Sequence, residues 1–169
     1  NQTILLHKTD SCAQPSSRSP MITIRDILLR TETYFNEVGI ASPRREIEEI
    51  VGHVFGLDRI QVYMHFDRPI MEPELVQLRS MVARRGKREP LQWILGETGF
   101  HDQELFVHPG VLCPRPDTEL LVECALELIP ESEECFVADI GCGSGCIGLS
   151  ILAKRALAKL YAVDIAEEA

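Results

Sequence analysis

Long apolar stretches are missing from this sequence. The longest uninterrupted runs are a few residues, such as Ile4-Leu5-Leu6, against the roughly 20 that a bilayer-spanning helix requires. No membrane span is expected. Positive charge is also scarce: 17 Lys plus Arg face 26 Asp plus Glu, a formal net charge of −9. Capture of nucleic acid or an anionic membrane by a broad field needs the opposite sign, so no direct nucleic-acid binding is expected and any RNA contact must be local. No Cys-x-x-Cys occurs among the six cysteines, which argues against a zinc site of the usual ligand spacing, and no metal is expected. The thiols are not spread through loops as in a small secreted scaffold. Cys124 is expected on a helical apolar face, Cys142 and Cys146 in a glycine-rich turn and the helix after it, and Cys12 in an N-terminal stretch. Reduced thiols and a cytoplasmic location follow. What is present is 169 residues, 45% hydrophobic and 25% charged, enough for one domain or two small ones with a real core.

Residues 1–20 end in Ser16-Ser17-Arg18-Ser19-Pro20 before Met21 and read as a leader or vector-derived segment. They hold no apolar region of signal-peptide length. From Thr23 the pattern is helical, with Ile24, Ile27, Leu28, Thr31, Phe35 and Val38 at three- and four-residue spacing, Thr23 and Asp26 as caps and Gly39 as a stop. Ser42-Pro43 opens a second helix carrying Ile47, Ile50, Val51, Val54 and Phe55 up to Gly56. Asp58 with Gln61 is a capping-box variant for a short third helix through Phe66. Pro73 opens a fourth, with Leu75, Leu78 and Val82 inward and Gly86 at its end. Four short helices make a small bundle of about 65 residues, near the lower limit for independent folding.

Arg79, Arg84, Arg85, Lys87 and Arg88 form the one basic concentration. They suit the negative end of a helix dipole, or a contact with an acidic partner. Trp93-Ile94-Leu95, Gly96 and Phe100, then Asp102-Gln103 and Leu105-Phe106-Val107, read as two short strands joined by a turn. Pro114-Arg115-Pro116 forces an extended connection. Asp117 is then expected to cap a helix with Leu120, Leu121, Cys124 and Leu128 on its apolar face, ended by Pro130. A buried strand Phe136–Ile140, the turn Gly141-Cys142-Gly143-Ser144-Gly145, a helix Cys146 to Arg155 and a strand Leu160 to Val163 ending at Asp164 complete the chain. Strand, glycine turn, helix, strand and acid are the opening of a nucleotide-binding parallel sheet.

Two cofactor classes use such a unit. Gly143-x-Gly145-x-x-Gly148 formally matches the dinucleotide fingerprint. Asp139, however, stands two residues before the first glycine, where its charge would repel a pyrophosphate by a few kcal/mol at an effective dielectric near roughly 20. S-adenosylmethionine carries no phosphate, and its ammonium and sulfonium favour such an acid. Asp164, about 20 residues beyond the turn, is placed to accept hydrogen bonds from ribose hydroxyls in either cofactor. Each element also has a plain structural use: glycines permit tight turns, Gly148 lets the helix pack on the strand, and Asp164 caps a strand end.

Three segments carry a more specific likeness: Lys87-Arg88-Glu89-Pro90-Leu91-Gln92-Trp93-Ile94-Leu95-Gly96 with Phe100, Pro114-Arg115-Pro116-Asp117-Thr118-Glu119, and Asp139-Ile140-Gly141-Cys142-Gly143-Ser144-Gly145. Together they resemble the HemK/PrmC family, the peptide chain release factor glutamine N5-methyltransferases, from about Met21 onward. The resemblance implies an α/β protein with a small helical bundle (21–89) that docks the release factor and a β-hairpin linker (90–116). It also implies the start of a Rossmann-like, S-adenosyl-L-methionine-dependent methyltransferase sheet (117–169). Carried over by position, Gly141, Cys142, Gly143, Ser144, Gly145 and Asp164 contact the cofactor, with Asp139 beside them and Thr118 and Glu119 near the pocket. The family's Asn-Pro-Pro-Tyr segment, which holds the glutamine amide, is not among these residues: the asparagines are Asn1 and Asn36, neither followed by proline. The chain thus reads as an N-terminal portion, inactive by itself and monomeric when full length, with no catalytic residue assigned. A nucleotide-dependent oxidoreductase fragment and a non-enzymatic helical interaction module are the competing readings.

Overall fold

The computed structural model describes residues 21–167; the N-terminal segment read as a leader, with Cys12, lies outside the described residues. Helix α1 (Ile24–Glu37) starts on a reciprocal cap. The Thr23 amide donates to Asp26 Oδ2 at 2.9 Å, and the Asp26 amide to Thr23 Oγ1 at 3.3 Å. Helix α2 (Pro43–Phe55) has proline in its first turn and Gly56 in the left-handed region at its end. The Ser42 hydroxyl, expected to cap it, makes no cap bond; a proline at the first position already removes one orphan donor. Asp58 and Gln61 form the expected box on α3 (Arg59–Met64), which stops two residues short of Phe66. Helix α4 spans Glu72–Gly86, burying Leu75, Leu78 and Met81, while Val82 is only half-buried.

These helices close around one core in which Ile24, Phe35, Ile47, Ile50, Val51 and Val62 are fully buried. At about 1.5–3 kcal/mol per large side chain removed from water, this core and not the surface ion pairs holds the bundle. Three of the five cations of the basic cluster make hydrogen bonds within the same domain. Arg84 binds Glu89, Arg85 reaches Glu46 on α2, and Arg88 donates to the carbonyls of Gly39 at 2.9 Å and Val38 at 2.6 Å, past the end of α1.

Trp93-Ile94-Leu95 is not a strand. Residues Leu91–Leu95 form a helical turn, α5, entered through Pro90 and stopped by left-handed Gly96. Tertiary burial decides it, because Leu91 and Ile94 both insert into the bundle core. The hairpin proper is β1 (Glu97–Phe100) paired antiparallel with β2 (Gln103–Phe106). It does more than link. Phe100 and Leu105 belong to a second core with Val122, Cys146 and Ile151.

Helix α6 (Pro116–Leu128) follows Arg115, whose side chain makes no cap bond, and Asp117, expected as the cap, lies inside its first turn. Its buried face is also not the expected one: Leu120, Leu121 and Leu128 are more than half exposed and Cys124 is exposed, while Val122, Ala125, Leu126 and Ile129 pack inward. The helix carries two apolar stripes, and the one facing α7 (Cys146–Lys154) is covered. Arg155 fastens this packing by donating to the α6-end carbonyls of Ile129 at 2.9 Å and Leu126 at 2.6 Å, where a cation also suits the dipole. Strands β3 (Cys135–Ile140) and β4 (Ala158–Val163) pair in parallel, Cys135 opposite Ala158 and Ile140 opposite Val163. The expectation of a buried β3 fails on one face. Phe136 and Ile140 are 68% and 76% exposed, because α6 and α7 cover only the side of Val137 and Asp139. A helix-rich chain with two small two-stranded sheets, one of them parallel, is a helical domain followed by a strand–turn–helix–strand α/β unit. No described helix is long and apolar enough to cross a membrane.

Candidate functional site

The glycine turn sits between the carboxyl ends of two parallel strands and the start of α7. Gly141, Gly143 and Gly145 all have positive φ, at 78°, 52° and 71°. Three left-handed residues at alternate positions are what glycine alone adopts without a Cβ penalty, so here the backbone path itself demands them. The Gly141 and Cys142 amides donate to the Val163 carbonyl at 2.7 and 3.2 Å. This pins the turn to the end of β4. Cys142 and Ser144 lie half-buried between the glycines. A Cβ at Gly141 would meet nothing within 4 Å, and at Gly143 only Val111 Cγ1 at 3.9 Å. Space therefore remains at the turn for a ligand.

Asp164 grips the turn. Its Oδ2 accepts from the Gly143 amide at 2.8 Å and its Oδ1 from the Ala166 amide at 2.9 Å. The amides of Ala166 and Gly143 hold its carboxyl below the usual carboxylate range, since hydrogen bonds to the charged form favour it. Asp139 accepts from the Gly148 amide through Oδ2 at 3.2 Å. One acid thus fixes the turn and the other the first turn of the helix. Cys146, by contrast, is buried, and burial pushes its thiol up; it is a packing residue and no nucleophile.

Gly148 has the packing use foreseen for it. A Cβ there would lie 2.6 Å from Leu160 Cδ2 and 3.1 Å from Asp139 Oδ2. Gly148→Ala is therefore expected to destabilise the sheet domain by about 1–3 kcal/mol, the usual range for overpacking. Urea unfolding followed by circular dichroism checks it, and an unchanged midpoint would mean that Leu160 simply turns aside.

Thr118 and Glu119 stand apart from the turn. The Thr118 amide donates to the Arg115 carbonyl at 2.9 Å, and Glu119 Oε1 accepts from the His101 amide at 2.9 Å. Glu119 lines a cavity of about 420 Å³ with Gln92, Phe100, Pro114 and Arg115, so two of the motif segments meet at one place. Sequence reasoning missed two contacts here. Val111, 4% exposed, neighbours Gly143, its Cγ1 lying 3.9 Å from where a Cβ there would stand, and no local pattern marks it. Trp93 Nε1 donates to the Val111 carbonyl at 3.0 Å, and its one available signal was its position inside the Pro90–Gly96 segment.

Comparison with known proteins agrees along most of the chain. Residues 26–96 match the model of the PrmC N-terminal domain. A release factor glutamine methyltransferase of Geobacter sulfurreducens is 43% identical over 142 residues, 84% of this chain and 49% of the relative. One of Chlorobaculum tepidum is 35% identical over 152 residues, covering 87% and 52%. One of Escherichia coli is 37% identical over 123 residues, covering 73% and 44%. The chain spans about half the length of the curated relatives it matches. By the bundle that carries the family's N-terminal domain and the glycine turn that follows it, the chain belongs to the HemK/PrmC family.

Proposed function

We propose that this chain supplies the partner-docking domain and the first half of the cofactor site for N5-methylation of the glutamine in the Gly-Gly-Gln loop of peptide chain release factors. The observation that carries it is the left-handed glycine turn, open above Gly141 and held by Asp164, in a member of this family. Residues 21–89 dock the release factor, 90–116 link, and 117–169 begin the methyltransferase sheet. S-adenosylmethionine, when bound, brings an electrophilic methyl group on its sulfonium.

The residues present do the binding part of this chemistry. Gly141 to Gly145 offer backbone at close range, and Asp164 has lone pairs left for ribose hydroxyls after two backbone bonds, a carboxylate accepting about four. Asp139, which holds the first turn of α7 through the Gly148 amide, would supply negative charge near the cofactor's ammonium, whereas Thr118 and Glu119 lie apart from the turn and would act only from the neighbouring cavity. Glutamine amide nitrogen is a weak nucleophile, so the amide must be held and aimed at the methyl carbon. Among these 169 residues no Asn-Pro-Pro-Tyr segment does so. A polypeptide of these residues alone is expected to transfer no methyl group to a release factor, and radiolabel incorporation above background would refute that. Because Arg84, Arg85 and Arg88 are engaged within the bundle, docking rests on other surface. The groove of about 880 Å³ along α2, with Arg45, Glu49, His53 and Arg59, is the best candidate. Reduced thiols beside the turn fit a cytoplasmic enzyme.

An NAD-type site is the second reading, favoured by one observation: Gly148 makes the close helix-to-strand contact that the third glycine of a dinucleotide fingerprint makes. Calorimetry separates them. S-adenosylhomocysteine should bind and NAD should not; the reverse result would assign the turn to an oxidoreductase.

A further inference from the structure

Two hydrophobic cores divide the described chain, one in the bundle and one under the sheet. Trp93 belongs to the first body, since its neighbours Leu91 and Ile94 are buried in the bundle core. Its indole nonetheless reaches out of that body to the Val111 carbonyl. The segment from His108 to Pro114 has little to hold it. Its internal bonds are Val111 amide to His108 carbonyl at 3.2 Å and His108 Nδ1 to the Pro109 carbonyl at 3.1 Å, and among the described residues the hydrogen bond that reaches it from outside is that of Trp93. Val111 Cγ1 in turn lies 3.9 Å from where a Cβ on the middle glycine of the turn, Gly143, would stand, and the Gly143 amide is held by Asp164. A short path of contacts therefore runs from the docking bundle to the carboxyl end of β4.

We propose that Trp93 is a positioning residue for the glycine turn: its bond to Val111 seats the segment on which Gly143 rests and couples the state of that turn to the helical domain. The proposal rests on the cofactor reading above, and it adds that cofactor occupancy and partner docking influence each other. An indole N–H can only donate, so the link is lost when the donor is lost. By linkage, any effect of the turn on the bundle is matched by an equal effect of the bundle on the turn.

Trp93 is the sole tryptophan of the sequence, so its fluorescence reports on the surroundings of this one indole. In the ligand-free chain, Asp164→Ala frees the Gly143 amide and should shift Trp93 emission to the red by several nanometres. Lys159→Ala, which removes the pair between β4 and Glu134 just before β3, should leave it as in the wild type. Equal emission from wild type and Asp164→Ala, or an equal shift in Lys159→Ala, overturns the coupling. If circular dichroism shows that Asp164→Ala is unfolded, Asp164→Leu, of similar size and with no acceptor for the Gly143 amide, takes its place. S-adenosylhomocysteine is then titrated with calorimetry and emission read together. Heat with a change in emission supports the proposal, and heat without one overturns it while leaving the cofactor reading intact. Absence of heat overturns the cofactor reading, and the ligand-free variants decide the coupling alone. Trp93→Phe should weaken S-adenosylhomocysteine by about two- to tenfold, the range for one hydrogen bond, in protein that is fully folded by its melting curve. A lowered melting temperature with unchanged affinity would make Trp93 purely structural.

Discussion

Replacing Glu48 with alanine should destabilise the helical domain by about 2–4 kcal/mol, toward the lower side of what breaking a buried ion pair costs. The side chain is 1% exposed. It accepts from Arg44 Nε at 2.6 Å, from Arg59 Nε at 2.8 Å and from the Tyr63 hydroxyl. Arg44 extends the network to Glu32 on α1 at 3.2 Å, so one buried carboxylate ties α1, α2 and α3 together. Alanine leaves a hole and three donors without their acceptor. The loss stops short of the full buried-pair figure because the Arg44 and Arg59 side chains are 32% and 68% exposed and rehydrate. Glu48→Gln keeps an acceptor and should lose less.

The same network has a pH signature. Burial pushes the Glu48 carboxyl up, but hydrogen bonds from Tyr63, Arg44 and Arg59 outweigh it and hold the group below its ordinary 4.5. A carboxyl lowered in the folded state binds fewer protons there than in the unfolded chain, so its contribution is complete above the unfolded value. That contribution drains as pH falls through the folded one. The gap between wild type and Glu48→Ala in urea midpoints should therefore be constant from neutral pH to about 5 and narrow below it. A gap that widens in acid would mean that the arginines, and not the carboxylate, set the energetics.

Glu48 also marks where sequence reading stops. Its neighbours Ile47, Ile50 and Val51 were legible as a helical stripe because apolar burial is periodic, and they are buried. A charged residue on that stripe reads as solvent-facing, and only the convergence of Arg44, Arg59 and Tyr63 shows otherwise. Caps were legible where side chain and backbone lie within one turn, as at Thr23 with Asp26 and Asp58 with Gln61. Faces were legible only where one stripe is apolar. On α6 two stripes compete, and position relative to α7 chose Val122 over Leu121. Trp93-Ile94-Leu95 reads as strand and is part of α5 because β propensity at Trp93 and Ile94 is weaker than the pull of the bundle core on Leu91 and Ile94. The glycine turn was legible as a local motif, but its seat was not, since Val111 and Trp93 come from segments with no shared pattern.

Asp164→Ala is expected to weaken S-adenosylhomocysteine by roughly ten- to hundredfold, the range for hydrogen bonds to a charged group. Two effects add. The carboxylate loses its place as ribose acceptor, and the Gly143 amide loses the partner that keeps the turn in its left-handed path. Asparagine separates the two. Its carbonyl oxygen can still accept from Gly143, but its NH2 group would face the Ala166 amide, donor against donor, where Asp164 Oδ1 now accepts. Asp164→Asn should therefore fall between wild type and alanine, with the turn kept and ribose contact weakened. Because the amides of Ala166 and Gly143 hold the carboxyl below its ordinary range, it stays ionised well into acid, and affinity should be flat from pH 8 down to about 5. Equal affinity in wild type and both variants would make Asp164 a strand-end cap and nothing more. A fall in affinity for alanine with none for asparagine would locate its whole effect in the hold on Gly143.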